Sequence, residues 1–170
     1  MININSIVGN IRNDENLTLK YRVMTENRLS EIVQISRTEA ERVRMRKTSN
    51  KGNDVAITLP QNAHLKNGDV LLLTADRMIV VEITPEKVAV VSFKSIPNDH
   101  LFETAVRIGH TIGNLHRPIR LEDNKIFIPI QADSELELLK RLFGQAGEHV
   151  EVSSTNVVFE PEEGTSIHEH

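Results

Sequence analysis

The chain has 170 residues, of which 39% are hydrophobic, with 20 Lys and Arg against 24 Asp and Glu and with no cysteine. This length suits one domain or two small ones, each with a modest core. The lack of cysteine excludes disulfides, thiol catalysis and thiolate metal sites, so imidazole and carboxylate groups are left as possible metal ligands.

The net charge of -4 is unevenly placed along the sequence. Four glutamates, and no lysine or arginine, lie in the last eleven residues: Glu160, Glu162, Glu163 and Glu169. Residues 1–159 therefore balance at 20 acidic (24 minus 4) against 20 basic side chains. A balanced body has no excess positive charge to hold a phosphate backbone, so we expect no nucleic-acid partner.

The start of the sequence lacks the basic segment and long apolar region of a signal peptide. No apolar run approaches the ~18 residues of a membrane span. We therefore expect a cytoplasmic protein with no membrane partner.

Residues 1–84 predict a β-rich domain. Apolar residues alternate with polar ones at Leu17, Leu19, Tyr21 and Val23, a pattern typical of a half-buried strand. Further strands are predicted at Arg42–Arg46, Val55–Leu59, Val70–Leu73 and Met78–Ile83, with turn signals at Lys51-Gly52-Asn53-Asp54 and Asn67-Gly68-Asp69.

The strand at Arg42–Arg46 would place Arg42, Arg44 and Arg46 on one face. Two interpretations are open: a docking stripe for an acidic partner, or a solvated outer face balanced by Glu39 and Glu41. The sequence favours the solvated face, because charges along a strand are usually exposed to water.

Residues 85–159 predict the order β-α-β-β-α-β of a ferredoxin-like domain. Lys87–Phe93 indicates the first strand, and a helix follows in which Leu101, Ala105, Ile108 and Ile112 share one face. The helix is predicted to begin near Pro97 and to end at Gly113 and Asn114, because both residues tolerate the left-handed conformation that closes helices.

Two more strands are predicted at Pro118–Leu121 and Lys125–Ile130. The second helix should begin with a capping box formed by Ser134 and Glu137. Its apolar face is predicted to hold Leu138, Leu139, Leu142 and Phe143. The last strand falls within His149–Phe159, and residues 160–170 predict a mobile acidic tail that bears His168 and His170.

The sequence contains none of the common catalytic motifs. There is no Gly-x-Ser-x-Gly elbow, no His-Glu-x-x-His, no phosphate loop and no dinucleotide-binding glycine pattern. We therefore expect a protein that is not an enzyme, and the histidines are the remaining chemical signal.

The most informative stretch follows the first helix of the second domain, where Pro118 ends any helical continuation. Gly113-Asn114-Leu115-His116-Arg117-Pro118 resembles the Gly-Asn-Arg-His motif of the urease accessory protein UreE family, with Leu115 in place of the usual arginine. Asn67-Gly68-Asp69-Val70-Leu71 and Phe159-Glu160-Pro161-Glu162 also resemble segments of that family. The resemblance implies a nickel metallochaperone with a β-rich domain that binds partners or peptides, followed by a ferredoxin-like domain that binds metal and dimerises.

In that family the motif histidine is the principal metal ligand, and here it is His116. Borderline divalent ions need several nitrogen or oxygen ligands. The resemblance implies a homodimer in which two copies of His116 meet near the two-fold axis. His168 or His170 would complete the shell, with His110 a candidate accessory ligand. Ni²⁺ is the cargo that the family implies, whereas the ligand chemistry alone leaves Cu²⁺ and Zn²⁺ as competitors.

The resemblance also implies partners: the other urease accessory proteins, including a GTPase, and the apo-urease complex. The alternative is a protein-interaction module, in which the β-rich domain grips peptides and the histidines are incidental. Counting nickel ions bound per dimer discriminates between the two functions.

Overall fold

The computed structural model describes residues 1–94, 98–144 and 149–161. The chain divides into two compact units, Met1–Thr84 and Pro85–His170, which we call the N-terminal unit and the C-terminal unit. The predicted tail lies almost wholly outside the described residues, as does Pro97, the predicted start of the first helix of the C-terminal unit. No helix in the described ranges is both long and apolar enough to cross a membrane.

The N-terminal unit is built from two sheets. Its strands are β1 (Ile2–Ile4), β2 (Gly9–Asn10), β3 (Ser30–Ile35), β4 (Arg44–Thr48), β5 (Asp54–Thr58), β6 (Asp69–Leu73) and β7 (Met78–Ile83), and its helices are α1 (Glu15–Glu26) and α2 (Arg37–Ala40). One sheet has the order β1-β5-β4 and the other the order β2-β6-β7-β3. The β1–β5 and β3–β7 pairs are parallel, and the other pairs are antiparallel. The β-rich fold predicted for residues 1–84 is therefore confirmed.

The strand predicted over Leu17–Val23 is wrong, because these residues belong to helix α1. The side chain of Asp14 caps the helix, accepting hydrogen bonds from the Asn16 and Leu17 amides at 2.9 and 3.1 Å. Leu17, Tyr21 and Met24 pack on one core cluster with helical spacing, whereas Leu19 and Val23 are exposed. The alternating pattern therefore arose because two apolar residues, Leu19 and Val23, are exposed. The hydrogen bonds of the Asp14 cap favour the helix over the predicted strand.

A buried carboxylate joins β3 to the turn between β4 and β5. Glu31 is only 2% exposed, and its carboxylate accepts hydrogen bonds from Ser49 Oγ at 2.7 Å and Asn53 Nδ2 at 2.9 Å. Arg77 Nε lies 3.2 Å from its other oxygen. Burial raises the pKa of Glu31, but these hydrogen bonds and the Arg77 charge outweigh burial, so the pKa lies below its ordinary value.

Helix α2 begins with a reciprocal capping box. The Glu39 amide donates to Ser36 Oγ at 3.2 Å, and the Ser36 amide donates to the Glu39 carboxylate at 2.9 Å. Lys47 of β4 lies 2.7 Å from the same carboxylate. The Lys47 ammonium and the Ser36 amide lower the pKa of Glu39 to about 2.

The C-terminal unit has the ferredoxin-like order that the sequence predicted. Its elements are β8 (Glu86–Phe93), α3 (Asn98–Asn114), β9 (Arg120–Glu122), β10 (Lys125–Pro129), α4 (Asp133–Gly144) and β11 (Val150–Val157). The strands form one antiparallel sheet in the order β11-β8-β10-β9. The two strands that come first and third along this unit are therefore central, and β11 and β9 are the edges.

The capping box predicted at Ser134 and Glu137 is wrong. Helix α4 begins one residue earlier, at Asp133, so Ser134 is inside the helix. The carboxylate that reaches back belongs to Glu135, which accepts from the Gln131 amide at 3.1 Å, while Glu137 pairs with Lys140 at 2.8 Å.

The buried face of α4 also differs from the predicted one. It consists of Leu136, Leu139 and Phe143, with helical spacing of three and four residues. Leu138 and Leu142 were predicted on this face but are exposed. The apolar pattern alone could not identify Leu136 as a buried residue, because leucines lie on both sides of the helix.

The sheet of the C-terminal unit buries both of its faces. On one face Ala89, Val91 and Ile128 pack under Ile108 and Ile112 of α3 and under the buried side of α4. On the other face Val88 and Val90 pack against Phe159, which is fully buried, with Phe127 and Val157 beside them. The alternation along β8 and β10 therefore divides the residues between a helix-covered face and a face covered by the segment after β11.

We expect Glu39→Gln to destabilise the N-terminal unit by about 1 kcal/mol at pH 7, because it removes the ion pair with half-exposed Lys47 while glutamine still completes the capping box. The folded-state pKa lies below the unfolded one, so this stability is present above pH 4.5 and is lost as the pH falls toward 2. Urea unfolding followed by the fluorescence of Tyr21, the only tyrosine, measures it.

The matched control is Glu41→Gln. Glu41 is exposed, and its carboxylate lies 3.6 Å from His64 Nδ1. This variant should have the same free energy of unfolding as wild type at pH 7 and at pH 3. A Glu39→Gln effect that stays constant from pH 7 to pH 3 would contradict the assignment to the carboxylate charge.

Candidate functional site

The short connection between α3 and β9 presents His116 at the surface. Helix α3 ends at Asn114, and two turn hydrogen bonds follow: Leu115 N to Ile112 O at 3.0 Å and His116 N to Gly113 O at 3.1 Å. His116 itself has φ +48°, in the left-handed region, where histidine is more common than most side chains. The position just past a helix end was predicted, but the left-handed residue is His116, not Gly113 or Asn114.

Two neighbours of His116 hold this connection in place. Leu115 packs against the main core of the C-terminal unit. Arg117 Nη2 lies 3.1 Å from Glu135 Oε1 at the start of α4, and Arg117 Nη1 donates to Pro129 O at 3.5 Å. His116 is therefore exposed between one apolar anchor and one ionic anchor. Neither anchor was predicted from the sequence, in which Leu115 stands where the family motif usually has arginine.

His116 lines a groove of about 1060 Å³. Helix α3 forms one wall and the β9–β10 hairpin forms the other. The apolar lining consists of Phe93, Leu101, Ala105, Ile112, Ile119, Leu121 and Ile126, with Gly109 and Gly113. Glu122 and Asp123 of the hairpin supply carboxylates to the same lining. Leu101, Ala105 and Ile112, which were predicted to share one face of α3, all line this groove.

A stripe along α3 leads from the groove to His116. Phe102, Val106, Gly109 and Gly113 recur at i, i+4, i+7 and i+11. Phe102 is 78% exposed and Val106 is 54% exposed. A Cβ added at Gly109 or Gly113 would meet no atom within 4 Å among the described residues. This set, the α3 stripe, is thus an apolar surface on which another chain could approach the helix backbone closely.

The other described histidines lie in different settings. His110 is exposed, and its Nε2 is 3.2 Å from Asn114 Nδ2, one turn along α3. His100 is exposed on the first turn of the same helix, and His149 precedes β11. His64 is exposed near Glu41, as expected of a surface residue. Within the described ranges, no three histidine or carboxylate side chains are grouped closely enough to hold a metal ion. His168 and His170 lie outside those ranges.

The arginine stripe of β4 is partly neutralised by its neighbours. Arg44 and Arg46 lie on β4 and Arg42 precedes it, and all three are exposed. Arg46 donates to both carboxylate oxygens of Asp54 on β5, at 2.7 and 2.6 Å. The pairing across the two strands favours the solvated face over a docking surface for an acidic partner.

Comparisons with known proteins match both units. The family model of the UreE urease accessory protein N-terminal domain matches residues 4–84, and the model of its C-terminal domain matches residues 86–170. A urease accessory protein UreE from Natronomonas pharaonis is 30% identical over 155 residues, covering 91% of this chain and 69% of that protein.

Proteins of the same name from Yersinia pestis and Yersinia pseudotuberculosis are 30% identical over 135 residues, covering 76% of this chain. This chain spans 57% of the length of each Yersinia protein. Because family models cover both units and the Natronomonas relative covers nine-tenths of the sequence, the chain belongs to the UreE urease accessory protein family.

Proposed function

We propose that this protein is a nickel metallochaperone that works as a homodimer in the maturation of urease. The observation that supports the proposal is the position of His116, exposed in the lining of an open groove and on the motif that resembles the family's. His116 is the principal ligand, and its imidazole suits Ni²⁺, Cu²⁺ and Zn²⁺. Membership of a urease accessory family supports Ni²⁺ as the physiological cargo.

A second copy of the chain supplies the ligands that one protomer lacks. One imidazole binds a divalent ion weakly, and the described residues of one protomer group no further ligands with it. An isologous contact through the α3 stripe repeats every residue about a two-fold axis. Because the stripe continues from Gly113 to the His116 turn, two stripes in contact bring two His116 side chains near the axis.

The remaining ligands come from the C-terminal histidines and, more weakly, from His110. His168 and His170 lie seven and nine residues beyond Pro161, the last described residue. Fixing each tail residue costs roughly 1–2 kcal/mol of conformational entropy, which offsets much of what a tail ligand contributes. His116 loses less, because its turn is already ordered. Such a shell is open and easily dismantled, as a carrier requires, whereas structural metal sites are closed.

Delivery requires partners, since the sequence contains no motif for nucleotide hydrolysis. The proposed partners are the other urease accessory proteins, including a GTPase, and the apo-urease complex in the cytoplasm. The N-terminal unit, outside the metal site, is the proposed partner-binding or peptide-binding part. The protein itself is proposed to carry metal and to catalyse no reaction.

We expect Val106→Glu to convert the dimer to a monomer at micromolar concentration. A glutamate on each stripe would place two like charges together in an apolar contact, where desolvating them is costly. Sedimentation velocity measures the change. Val23→Glu is the matched control, because Val23 of α1 is exposed to the same degree, 55% against 54%. Wild type that stays monomeric with and without nickel would refute the dimer.

We expect His116→Ala and His116→Gly both to remove the principal nickel site in a calorimetric titration. Glycine accepts the left-handed φ without the cost that alanine has, so His116→Gly should be more stable than His116→Ala by about 1 kcal/mol. If both variants lose nickel binding equally although their stabilities differ, the loss is due to the missing imidazole and not to a weakened fold.

Removal of residues 165–170 is expected to weaken nickel binding while leaving a dimer that still binds through His116. If the truncated protein loses all nickel binding while His116→Ala keeps it, the tail is the site and the motif histidine is not. If wild type binds no nickel, the alternative function, a protein-interaction module, takes precedence.

A further inference from the structure

Strand β11 is a sheet edge with one open side. It runs over eight residues, Val150–Val157, and pairs with β8 along its whole length in one continuous register. In the part of the chain that the structure describes, no strand pairs with its other side. An edge of this kind presents a row of backbone donors and acceptors to which another strand can add.

One hydrogen bond at the start of β11 identifies the backbone groups that face outward. The Lys94 amide donates to His149 O at 2.8 Å, so the backbone of His149 faces β8. Successive residues of an antiparallel strand turn their N–H and C=O groups to alternate sides, so every second residue after His149 also faces β8. The residues between them turn these groups outward: Val150, Val152, Ser154 and Asn156.

The sheet edges of the N-terminal unit are short, charged or capped. Strands β1 and β2 have three and two residues. Three of the five residues of β4 are Arg44, Arg46 and Lys47. On β3, the Asn50 amide donates to Ile32 O and Asn50 Oδ1 accepts from the Ile32 amide, each at 2.9 Å. Shortness, positive charge and capping all protect an edge from pairing with another chain.

The C-terminal unit protects its β9 edge but leaves β11 unprotected. Strand β9 has three residues, and its Arg120 guanidinium carbon lies 4.7 Å from the centroid of the Phe127 ring and 5.8 Å from that of the Phe159 ring. Strand β11 contains no proline, lysine or arginine, and Glu151 is its one charged residue. The four residues before Val157 are polar, uncharged and exposed. Strand β11 is therefore an edge that can accept another strand.

We propose that β11 pairs antiparallel with β11 of a second copy of this chain, so that two four-stranded sheets join across a two-fold axis. The axis lies at Ser153, because this register pairs every outward-facing residue. Val150 then pairs with Asn156 of the second copy, and Val152 pairs with Ser154. Four bonded pairs form, with two backbone hydrogen bonds each. A register shifted by two residues would leave one outward-facing residue of each strand unpaired.

The same register places no like charges opposite each other. Ser153 and Thr155 pair with Val90 and Val88, whose side chains lie on the sheet face opposite the helices. Glu151 lies on that face too, since side chains alternate along a strand. With the axis at Ser153, the two Ser153 side chains face each other and Glu151 faces Thr155 of the second copy. Neither pairing is unfavourable.

Helix α4 turns one charged flank toward the β11 side of the unit. Glu135 points the other way, because it contacts Arg117 in the connection between α3 and β9. Leu136 is buried, so Glu137, about 200° around the helix from Glu135, lies on the opposite flank. Lys140 is three residues further on, and its Nζ lies 2.8 Å from Glu137 Oε1. This flank thus carries one negative and one positive charge.

These two charges are roughly level with the proposed axis. Lys87 pairs with Asn156 across the ladder and forms an ion pair with Asp133, so α4 begins near the level of Asn156. Ser153 lies three residues back along β11, about 10 Å, a distance that six or seven residues of helix also span. Glu137 and Lys140 are four and seven residues after Asp133. Across the axis each of them faces the opposite charge of the second copy.

The proposed contact is separate from the α3 stripe and uses no ligand of the proposed nickel site. Strand β11 and the hairpin strand β9 are opposite edges of one sheet, so both contacts can form in the same molecule. One strand edge and one helix flank bury less than the ~1,200 Å² of a standard stable interface, so we expect a dissociation constant of roughly 100 µM or weaker. The contact is therefore absent at micromolar concentration and forms where the protein is concentrated.

Hydrogen exchange of the full-length Val106→Glu variant, followed residue by residue by NMR, tests the contact with the α3 stripe disrupted. We expect the outward amides of Val152 and Ser154 to exchange about twofold more slowly, or less rapidly still, at roughly 500 µM than at roughly 5 µM. The amides of Ser153 and Thr155 bond to β8 and should exchange equally at both concentrations. Outward amides whose exchange does not depend on concentration would overturn the proposal, whether they are protected by the same chain or exposed to water.

Ser153→Lys and Thr155→Lys form a matched pair, because both residues are exposed and lie on the same face of β11. Ser153→Lys places two lysines directly opposite each other at the axis, so self-association should weaken about fivefold. Thr155→Lys places each lysine opposite Glu151 of the other copy, so self-association should strengthen about threefold. Sedimentation equilibrium in the Val106→Glu background measures both changes. If the two substitutions weaken association equally, the strands do not pair in this register and the proposal is overturned.

Thermal unfolding verifies that each variant is folded, and every measurement is made without nickel. Because each readout is a change with concentration, it holds whether or not the α3 stripe also forms a contact. Wild type that binds no nickel would refute the nickel-carrier function and leave the β11 contact standing. Concentration-independent exchange in a protein that does bind nickel would refute the β11 contact alone.

Discussion

The C-terminal unit depends on how the chain turns between α3 and β9. The helix lies on one face of the sheet and β9 forms its edge, so the connection must reverse direction within five residues. Burial of Leu115 and the left-handed backbone of His116 make that reversal. A left-handed conformation costs roughly 1–2 kcal/mol for a residue with a Cβ, and packing of the neighbours on both sides offsets this cost. The same geometry that closes the fold therefore leaves the imidazole pointing away from the core.

The proposed ligand, His116, therefore stands on an ordered turn that its neighbours Leu115 and Arg117 hold in place. The lining of the groove beside His116 is largely apolar, and its charged side chains are Arg117, next to His116, and Glu122, Asp123 and Lys125 of the hairpin. A largely apolar surface with one imidazole is poorly suited to binding a hydrated cation alone. In the homodimer proposed above, apolar area would drive association and a second His116 would double the proposed ligand.

How much the sequence predicts depends on whether local or distant contacts decide each element. The β-α-β-β-α-β order of the elements was predictable, because strand and helix periodicity are local. Helix α1 was not, since one cap at Asp14 decided between two periodicities of similar strength. Helix α4 begins one residue before the predicted cap, Ser134, for a similar reason. The carboxylate of Glu135, and not that of Glu137, accepts the hydrogen bond from the Gln131 amide.

The site was predictable in part. His116 could be placed past the helix end from Gly113 and Pro118, but the groove could not, because its second wall comes from a hairpin that follows in sequence and pairs with β8 across the sheet. The ring stack of Arg120 was also beyond sequence reasoning. Arg120 and Phe127 are opposite each other in register, but Phe159 reaches them from 32 residues beyond Phe127.

A ferredoxin-like sheet has two helices on one face only. Where the other face also carries apolar side chains, another part of the chain must pack over them to exclude water. In this protein the cover is the chain's own continuation after β11, with Phe159 in the centre of that face. The covering segment consequently has a fixed direction, toward the edge strand that follows His116. The requirement to bury Val88 and Val90 thus also determines the path of the chain from Val157 to Phe159, and the hydrogen bond from Arg120 Nη1 to Val158 O ties that path to the edge strand β9.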